Sequence, residues 1–253
     1  METRSRLRIV PLNTLGNKLQ AKTYTALDAT YILTNLSEFI QMTAPPEPRG
    51  DYGKDYRLNS VPEHERFNPK SAERRLEAEL FWKFKSGDIP FCEGVSKIVS
   101  FQAPLYWERT KKGWGSIDLL GIDNSTRCPV VIELKLAKKT IEPPLRAVVE
   151  AFAYMIALRG VWDDFAPQWQ ERTSQGRLPK PKKLCAVVVA PRGYWDAVCS
   201  DKHLRSALPA LKTLVDGLAN EGYIIRFASI VATDNSGWKV TGGAREIIIP
   251  CQQ

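Results

Sequence analysis

Two carboxylates and one lysine lie close together in an otherwise apolar part of the sequence. Asp118 follows an isoleucine and precedes two leucines, while Glu133 and Lys135 belong to the run Val-Val-Ile-Glu-Leu-Lys-Leu. Between them, the segment Asp-Asn-Ser-Thr at 123–126 is typical of a turn that joins two strands. If the chain turns near position 125, Asp118 lies opposite Glu133, with Cβ atoms about 5 Å apart.

Such a pair of carboxylates favours a metal site. Two like charges in an apolar setting repel each other and lose solvation, and a divalent cation between them removes both penalties. Hard oxygen ligands select Mg²⁺ or Mn²⁺ over zinc. Because side chains alternate along a strand, Lys135 shares a face with Glu133 while Leu134 points away. An ammonium group there could orient a water, help to deprotonate it, or stabilise charge on a phosphate.

The chemistry that suits these groups is phosphodiester hydrolysis. The competing interpretation of Glu-x-Lys on a strand is an exposed ion pair, which would stabilise the fold by only ~0–1 kcal/mol. The aspartate predicted on the facing strand favours the functional interpretation.

The elements that would position these residues alternate between helix and strand. Ser71 is a suitable N-cap, apolar residues then recur at helical spacing, and Gly87 ends the predicted helix. Strands are predicted over 95–106, 116–122, 129–136, 184–190, 223–232 and 245–249, and helices over 144–159 and most of 193–220. This order predicts an α/β/α sandwich with a central mixed sheet.

The remaining segments are predicted to lie outside this sandwich. Residues 1–43 form an accessory segment, in which 23–39 could be a helix or a pair of strands. Residues 44–70 contain Ala-Pro-Pro-Glu-Pro-Arg-Gly and are interpreted as a linker or long loop. Residues 71–253 form the domain that carries the carboxylates.

Composition narrows the function classes. A net charge of +8 favours a polyanionic partner, nucleic acid first. Only two histidines are present, which excludes a histidine-rich metal site. Five cysteines without close spacing argue against a zinc knuckle and a disulfide framework, and favour a reducing, cytoplasmic location. No stretch approaches the ~20 apolar residues of a membrane span, and the first residues lack the apolar run of a secretory signal.

An aspartate at the end of one strand, followed by a hydrophobic strand with Glu-x-Lys, resembles the motif of the PD-(D/E)XK nuclease superfamily. This superfamily has restriction-endonuclease-like, Holliday-junction-resolvase-like and RecB-like branches. Ile117 replaces the proline that usually precedes the aspartate. The resemblance covers roughly residues 71–190. It implies a restriction-endonuclease-like fold and Mg²⁺-dependent cleavage of DNA, with Asp118 and Glu133 as metal ligands and Lys135 activating water.

The resemblance also assigns residues on two helices. The superfamily places a glutamate near the metal on the helix before the strands, where Glu77 is the best match and Glu73 the second choice. RecB-like members carry Gln-x-x-x-Tyr on the helix after the strands. Here Tyr154 matches but Glu150 replaces the glutamine, so this helix is predicted mainly to pack through an amphipathic face.

A set of basic and aromatic residues is predicted to contact nucleic acid. Its members are Lys111, Lys112, Lys138, Lys139, Arg146 and Tyr154. The main hypothesis is a deoxyribonuclease, endo- or exonucleolytic, in DNA repair, restriction or defence against foreign DNA, alone or in a homodimer or larger complex. Two alternatives stay open: a non-catalytic module that binds nucleic acid or protein on the same fold, and a ribonuclease that uses the same metal site.

Overall fold

A mixed sheet forms the centre of the molecule. The computed structural model describes residues 26–43, 58, 70–104, 116–137, 141–176, 178–232 and 238–242. Within these residues, six strands pair in chain order: β1 (Val95–Pro104), β2 (Ser116–Asp123), β3 (Pro129–Leu134), β4 (Leu184–Pro191), β5 (Tyr223–Ala232) and β6 (Trp238–Gly242). The β1–β2, β2–β3 and β5–β6 pairs are antiparallel, and the β3–β4 and β4–β5 pairs are parallel. The predicted α/β class with a mixed sheet is therefore confirmed.

Helices cover both faces of this sheet. The described helices are α1 (Ala26–Thr34), α2 (Leu36–Thr43), α3 (Ala72–Phe84), α4 (Pro144–Gly160), α5 (Trp162–Thr173), α6 (Arg192–Ser200) and α7 (Lys202–Asn220). On one face, Leu80 and Phe84 of α3 pack with Leu119 and Ile132 in what we call the α3 cluster. The other helices contribute to a larger set on the opposite face, the α4 cluster, which contains Val131 and Val188 of the sheet together with Val148, Phe152, Leu214 and Ile32.

Helix α4 is buried on almost every side. Of its 17 residues, 13 are buried, and most of those are alanine, valine or other apolar residues. It contacts β3, β4 and β5 below it and α2, α5 and α7 around it. The prediction of an amphipathic α4 is therefore wrong, because neighbouring helices enclose the face that would otherwise meet solvent. The charged residues Arg146, Glu150 and Arg159 of α4 are only partly exposed.

The N-terminal helices pack on the same core as the sheet. The described part of the ambiguous segment 23–39 is helical, and Ile32 and Phe39 are buried in the α4 cluster. Leu58, within the predicted linker, is also buried there, and its carbonyl oxygen accepts a hydrogen bond from Arg172 Nη2 at 3.0 Å. The division of the chain into accessory segment, linker and domain stays a prediction.

Other sequence predictions have mixed outcomes. Strand β6 was not predicted, and the strand predicted over 245–249 lies outside the described residues. The helical region 193–220 is two helices, because Asp201 ends α6 and caps α7 by accepting hydrogen bonds from two backbone N–H groups.

The expectation of reduced cysteines holds for Cys92, Cys128 and Cys185 but not for Cys199, which is disulfide-bonded. In the described ranges, no helix has the length and apolar character needed to cross a membrane.

The turn between β2 and β3 is held by the side chain of Asp123. Its Oδ1 accepts hydrogen bonds from the backbone N–H and the hydroxyl of both Ser125 and Thr126, at 2.7–3.0 Å. Burial alone would raise the pKa of Asp123, but these hydrogen bonds outweigh it and lower the pKa. The turn predicted at 123–126 is confirmed, and it fixes the register of the two strands that carry the carboxylates.

Replacing Asp123 should loosen this hairpin. Asp123→Ala removes the acceptor of four donors, so we expect a loss of about 1–3 kcal/mol in the free energy of unfolding, measured by urea denaturation at pH 7. Because the pKa of Asp123 is lowered in the folded state, its contribution is present above the pKa of the unfolded chain and fades as the pH falls through the folded value. The wild type and the variant should therefore converge in acid, and equal stability at pH 7 would contradict this role.

Candidate active site

The β2–β3 hairpin brings the first two predicted site residues together. The strands pair Leu119 with Ile132, and the next pair in this antiparallel register is Asp118 and Glu133. Asp118 Oδ2 also accepts a hydrogen bond from the backbone N–H of Leu134 at 2.9 Å. The register predicted from the turn is confirmed over the four pairs from Leu119–Ile132 to Ile122–Pro129.

Lys135 lies beside Glu133, immediately after the end of β3. Its backbone N–H donates to the carbonyl oxygen of Val189 at 2.9 Å, which extends the contact of the chain with β4. Its Nζ is 2.8 Å from Glu133 Oε1, while Leu134 packs in the α3 cluster on the other face. The predicted alternation along this strand is therefore correct. Lys135 is buried, so its ammonium group depends on protein partners for solvation.

The other partners of Lys135 come from α4 and the segment before it. Nζ is 2.5 Å from Glu150 Oε2 and 3.2 Å from Glu142 Oε1. Arg146 Nε lies between the same two glutamates, at 3.0 Å from Glu142 Oε1 and 3.1 Å from Glu150 Oε1. We call Glu133, Lys135, Glu142, Arg146 and Glu150 the lysine cluster. It contains three carboxylates and two cations. Arg146 and Glu150 are its members on α4, a helix whose other residues are mostly apolar.

A third carboxylate approaches Asp118 from α3. Glu77 is only 2% exposed, and its helix neighbours Leu76 and Ala78 are buried as well. Gln102 of β1 connects it to Asp118: the amide Nε2 donates to Glu77 Oε2 at 2.6 Å and lies 3.5 Å from Asp118 Oδ1. Glu73, one turn earlier on α3, is near enough to raise the pKa of both Glu77 and Asp118. Of the two candidate glutamates, Glu77 is the one joined to Asp118.

Burial and mutual crowding raise the pKa of all three carboxyl groups. Burial and the charge of Asp118 raise the pKa of Glu77 to about 8. Burial raises the pKa of Asp118 to about 7, against the opposing effects of the Leu134 N–H and of Lys135. Burial and Asp118 also raise the pKa of Glu133 well above its usual value. In all three groups, the raised pKa means that the folded protein favours the neutral acid more than water does.

Lys135 has the opposite environment. Burial alone would lower the pKa of its ammonium group, but the carboxylates of Glu133, Glu150 and Glu142 outweigh burial and raise the pKa well above its usual value. Burial would raise the pKa of Glu150, yet Lys135 and Arg146 lower it. The lysine cluster thus holds a protonated lysine next to the three crowded acids.

The donor chemistry of these acids fits a hard divalent cation. Glu77, Asp118 and Glu133 offer carboxylate oxygens alone, and Glu133 Oε2 is buried without a hydrogen-bond partner. A cation would supply the charge that these groups lack. In the described ranges, no three histidine, cysteine, aspartate or glutamate side chains are already grouped as a metal site. Binding would therefore require side-chain rotation of the carboxylates.

The predicted nucleic-acid contacts are described only in part. Lys111, Lys112, Lys138 and Lys139 lie outside the described residues. The side chain of Arg146 is 42% exposed at the edge of the lysine cluster, and Tyr154 is buried on α4, where burial and the charges of Glu133 and Asp118 raise its pKa. Their contact with nucleic acid stays a prediction.

Three polar residues at the site were not predicted. Gln102, Glu142 and Glu150 each contact a predicted site residue. The only signal for Glu150 was its spacing of four residues from Tyr154, which matches the RecB-like pattern apart from the residue type.

No matched protein provides a template for this site, so its role is inferred from its own geometry. Comparisons with protein-family models, with curated proteins and with solved structures found no match. The resemblance to the PD-(D/E)XK superfamily therefore depends on the motif residues alone. What the site can do chemically follows from the carboxylates, Gln102 and the lysine cluster.

Proposed function

We propose that this protein is a metal-dependent nuclease that hydrolyses DNA phosphodiester bonds. The observation that carries the proposal is the position of Asp118, which lies near Glu133 and Lys135 on one side and is joined to Glu77 through Gln102 on the other. The net charge of +8 supports a polyanionic substrate. With this function goes the proposal that the α/β fold is the restriction-endonuclease-like sandwich of the PD-(D/E)XK superfamily.

Each residue has a role in this proposal. Asp118 and Glu133 bind Mg²⁺ or Mn²⁺, and Glu77 adds a third carboxylate from α3. When bound, the divalent cation supplies Lewis-acid stabilisation of negative charge on the phosphate. Lys135 keeps its proton because three carboxylates contact it. It therefore donates hydrogen bonds that orient the attacking water or stabilise a phosphate oxygen, and it does not serve as the base.

Cleavage assays test the proposal directly. The full chain should cut DNA in the presence of Mg²⁺ or Mn²⁺, stop when EDTA is added, and resume when excess metal is restored, because charge stabilisation at the phosphate depends on the cation. Closed circular plasmid and end-labelled linear duplex should be compared, since only an endonuclease can open the circle. A matched RNA duplex tests the ribonuclease alternative. Absence of cleavage of every substrate with either metal would contradict the proposal.

A second candidate is a non-catalytic binding module on the same fold. One observation favours it: the ammonium group of Lys135 already pairs with Glu133 and Glu150, so less negative charge is left for a metal cation to compensate. Calorimetric titration with Mn²⁺ decides between the two. The nuclease should bind the metal and release protons as the crowded carboxyl groups ionise. The binding module should give no heat of binding, and it should retain DNA without cutting it.

A further inference from the structure

Gln102 has an unusual backbone conformation for a residue inside a strand. Its φ of 48° lies in the left-handed region, where the Cβ of an L-residue approaches its own carbonyl oxygen. It lies in β1 between the pairs Phe101–Leu119 and Ala103–Ile117, and therefore directly opposite Asp118. A glycine would adopt this conformation with less strain. A long polar side chain at this position points to a role for the side chain itself.

The two strands change face at this point. Residues two apart on a regular strand share a face, yet Phe101 packs in the α3 cluster and Ala103 in the α4 cluster. The facing strand shows the same change between Leu119 and Ile117. The irregular backbone at Gln102 is therefore part of the local geometry of both strands, and it accompanies the contact of the Gln102 amide with α3.

The amide group of Gln102 stands between two candidate metal ligands. Nε2 donates to Glu77 Oε2 at 2.6 Å and is 3.5 Å from Asp118 Oδ1. A primary amide has two N–H donors, so one nitrogen can serve two carboxylates. In the described ranges, no lysine or arginine forms an ion pair with Glu77 or Asp118. The partial positive charge of this NH₂ group therefore lies where a cation would compensate the same two acids.

We propose that Gln102 is a ligand of the cation site and also its placeholder when no cation is bound. Without the cation, the amide nitrogen bridges Glu77 and Asp118. When the cation binds, the amide turns by half a rotation and presents its oxygen, a hard donor that suits Mg²⁺ or Mn²⁺. This inference rests on the proposed function, because it uses the same metal site, and it adds a neutral ligand that the sequence motif does not contain.

Calorimetric titration of the full chain with Mn²⁺ tests this role. Gln102→Leu removes the amide, so we expect Mn²⁺ affinity to fall about 10- to 100-fold, the range typical when a supporting ligand is lost. Gln102→Gly also lacks the amide but relaxes the backbone, and it should lose affinity to a similar extent. Gln102→Glu keeps an oxygen donor. It should bind Mn²⁺ at least as tightly as the wild type, and should melt at a lower temperature in EDTA because a third acid joins Glu77 and Asp118.

The outcomes separate this inference from the proposed function. If the wild type binds no Mn²⁺, both are overturned. If the wild type binds Mn²⁺ and the Leu and Gly variants bind it equally well, Gln102 is only a structural residue and the metal site stands without it. If Gln102→Leu loses affinity but Gln102→Gly retains it, backbone strain and not the amide controls binding, which also overturns the inference.

Discussion

Asp118→Asn is expected to lower metal-dependent DNA cleavage by roughly 10³-fold or more while the chain stays folded. The substitution removes a charged ligand of the cation, whose Lewis-acid effect stabilises the transition state by several kcal/mol in metal enzymes, and each 1.36 kcal/mol changes the rate about tenfold. The amide oxygen of asparagine can still accept the hydrogen bond from the Leu134 N–H. Initial rates on a labelled duplex with saturating Mg²⁺ measure the effect.

The same substitution should stabilise the metal-free protein at neutral and higher pH. The pKa of Asp118 is raised from 3.8 to about 7, so the folded chain holds this proton more tightly than the unfolded chain. Its ionisation therefore costs stability as the pH rises from about 4 to about 7, and asparagine does not ionise. In EDTA, the melting temperature of Asp118→Asn should match that of the wild type near pH 4 and exceed it at pH 8. Mg²⁺ should then raise the wild-type value only.

Asp216→Asn is the matched control for both measurements. Asp216 is an exposed carboxylate on α7 that pairs with Lys212 at 2.8 Å and belongs to neither the hairpin nor the lysine cluster. The control should keep its cleavage rate, and its stability should change little because exposed ion pairs contribute ~0–1 kcal/mol. If Asp118→Asn cleaved DNA at the wild-type rate, Asp118 would not be a ligand of the catalytic cation.

The hairpin part of the site could be predicted from the sequence because its determinants are local. The turn at 123–126 fixes which residues of β2 and β3 face each other, and Asp123 holds that turn through its side chain. Strand alternation then places Lys135 beside Glu133. These predictions depend only on residues close together in the sequence, so they can be made without knowing how the helices pack.

Glu150 could not be predicted in the same way because its role depends on tertiary packing. In sequence it is one charged residue of a helix that could face solvent. Only when α4 is enclosed by neighbouring helices does Glu150 become the half-buried partner of Lys135. The family resemblance points to this helix, but its pattern has glutamine where this chain has Glu150 and so gives no role for a carboxylate there.

The position of Gln102 opposite Asp118 could not be predicted for a different reason. Strand β1 has register shifts between Val95 and Ile98 and between Ile98 and Ser100. A regular alternation counted from Val95 therefore assigns the wrong face to Ile98 and Val99, whereas Phe101, beyond both shifts, again packs in the α3 cluster with Val95. Nothing in the residue types of β1 marks the shifts, so only the paired strands reveal that Gln102 lies opposite Asp118.

Lys135→Met is expected to lower both stability and activity, because one ammonium group serves three carboxylates. Glu133 and Glu150 contact Nζ at 2.8 and 2.5 Å, and removing one partner of a buried ion pair costs about 3–5 kcal/mol. Cleavage should also fall by about 10²–10³-fold, in the range found when a donor to transition-state charge is removed. Loss of activity alone would therefore not separate catalysis from folding.

The double variant Lys135→Met/Glu150→Gln makes that separation. Removing the charge of Glu150 relieves much of the uncompensated negative charge, so stability should recover, with a coupling energy of about 0.5–3 kcal/mol in the double-mutant cycle. Cleavage should not recover, because the donor to water and phosphate is still missing. Lys212→Met, which breaks the exposed pair with Asp216, controls for the loss of a lysine. If the stabilised double variant regained cleavage, Lys135 would serve only to neutralise the carboxylates, and the water-orienting role would belong to another residue.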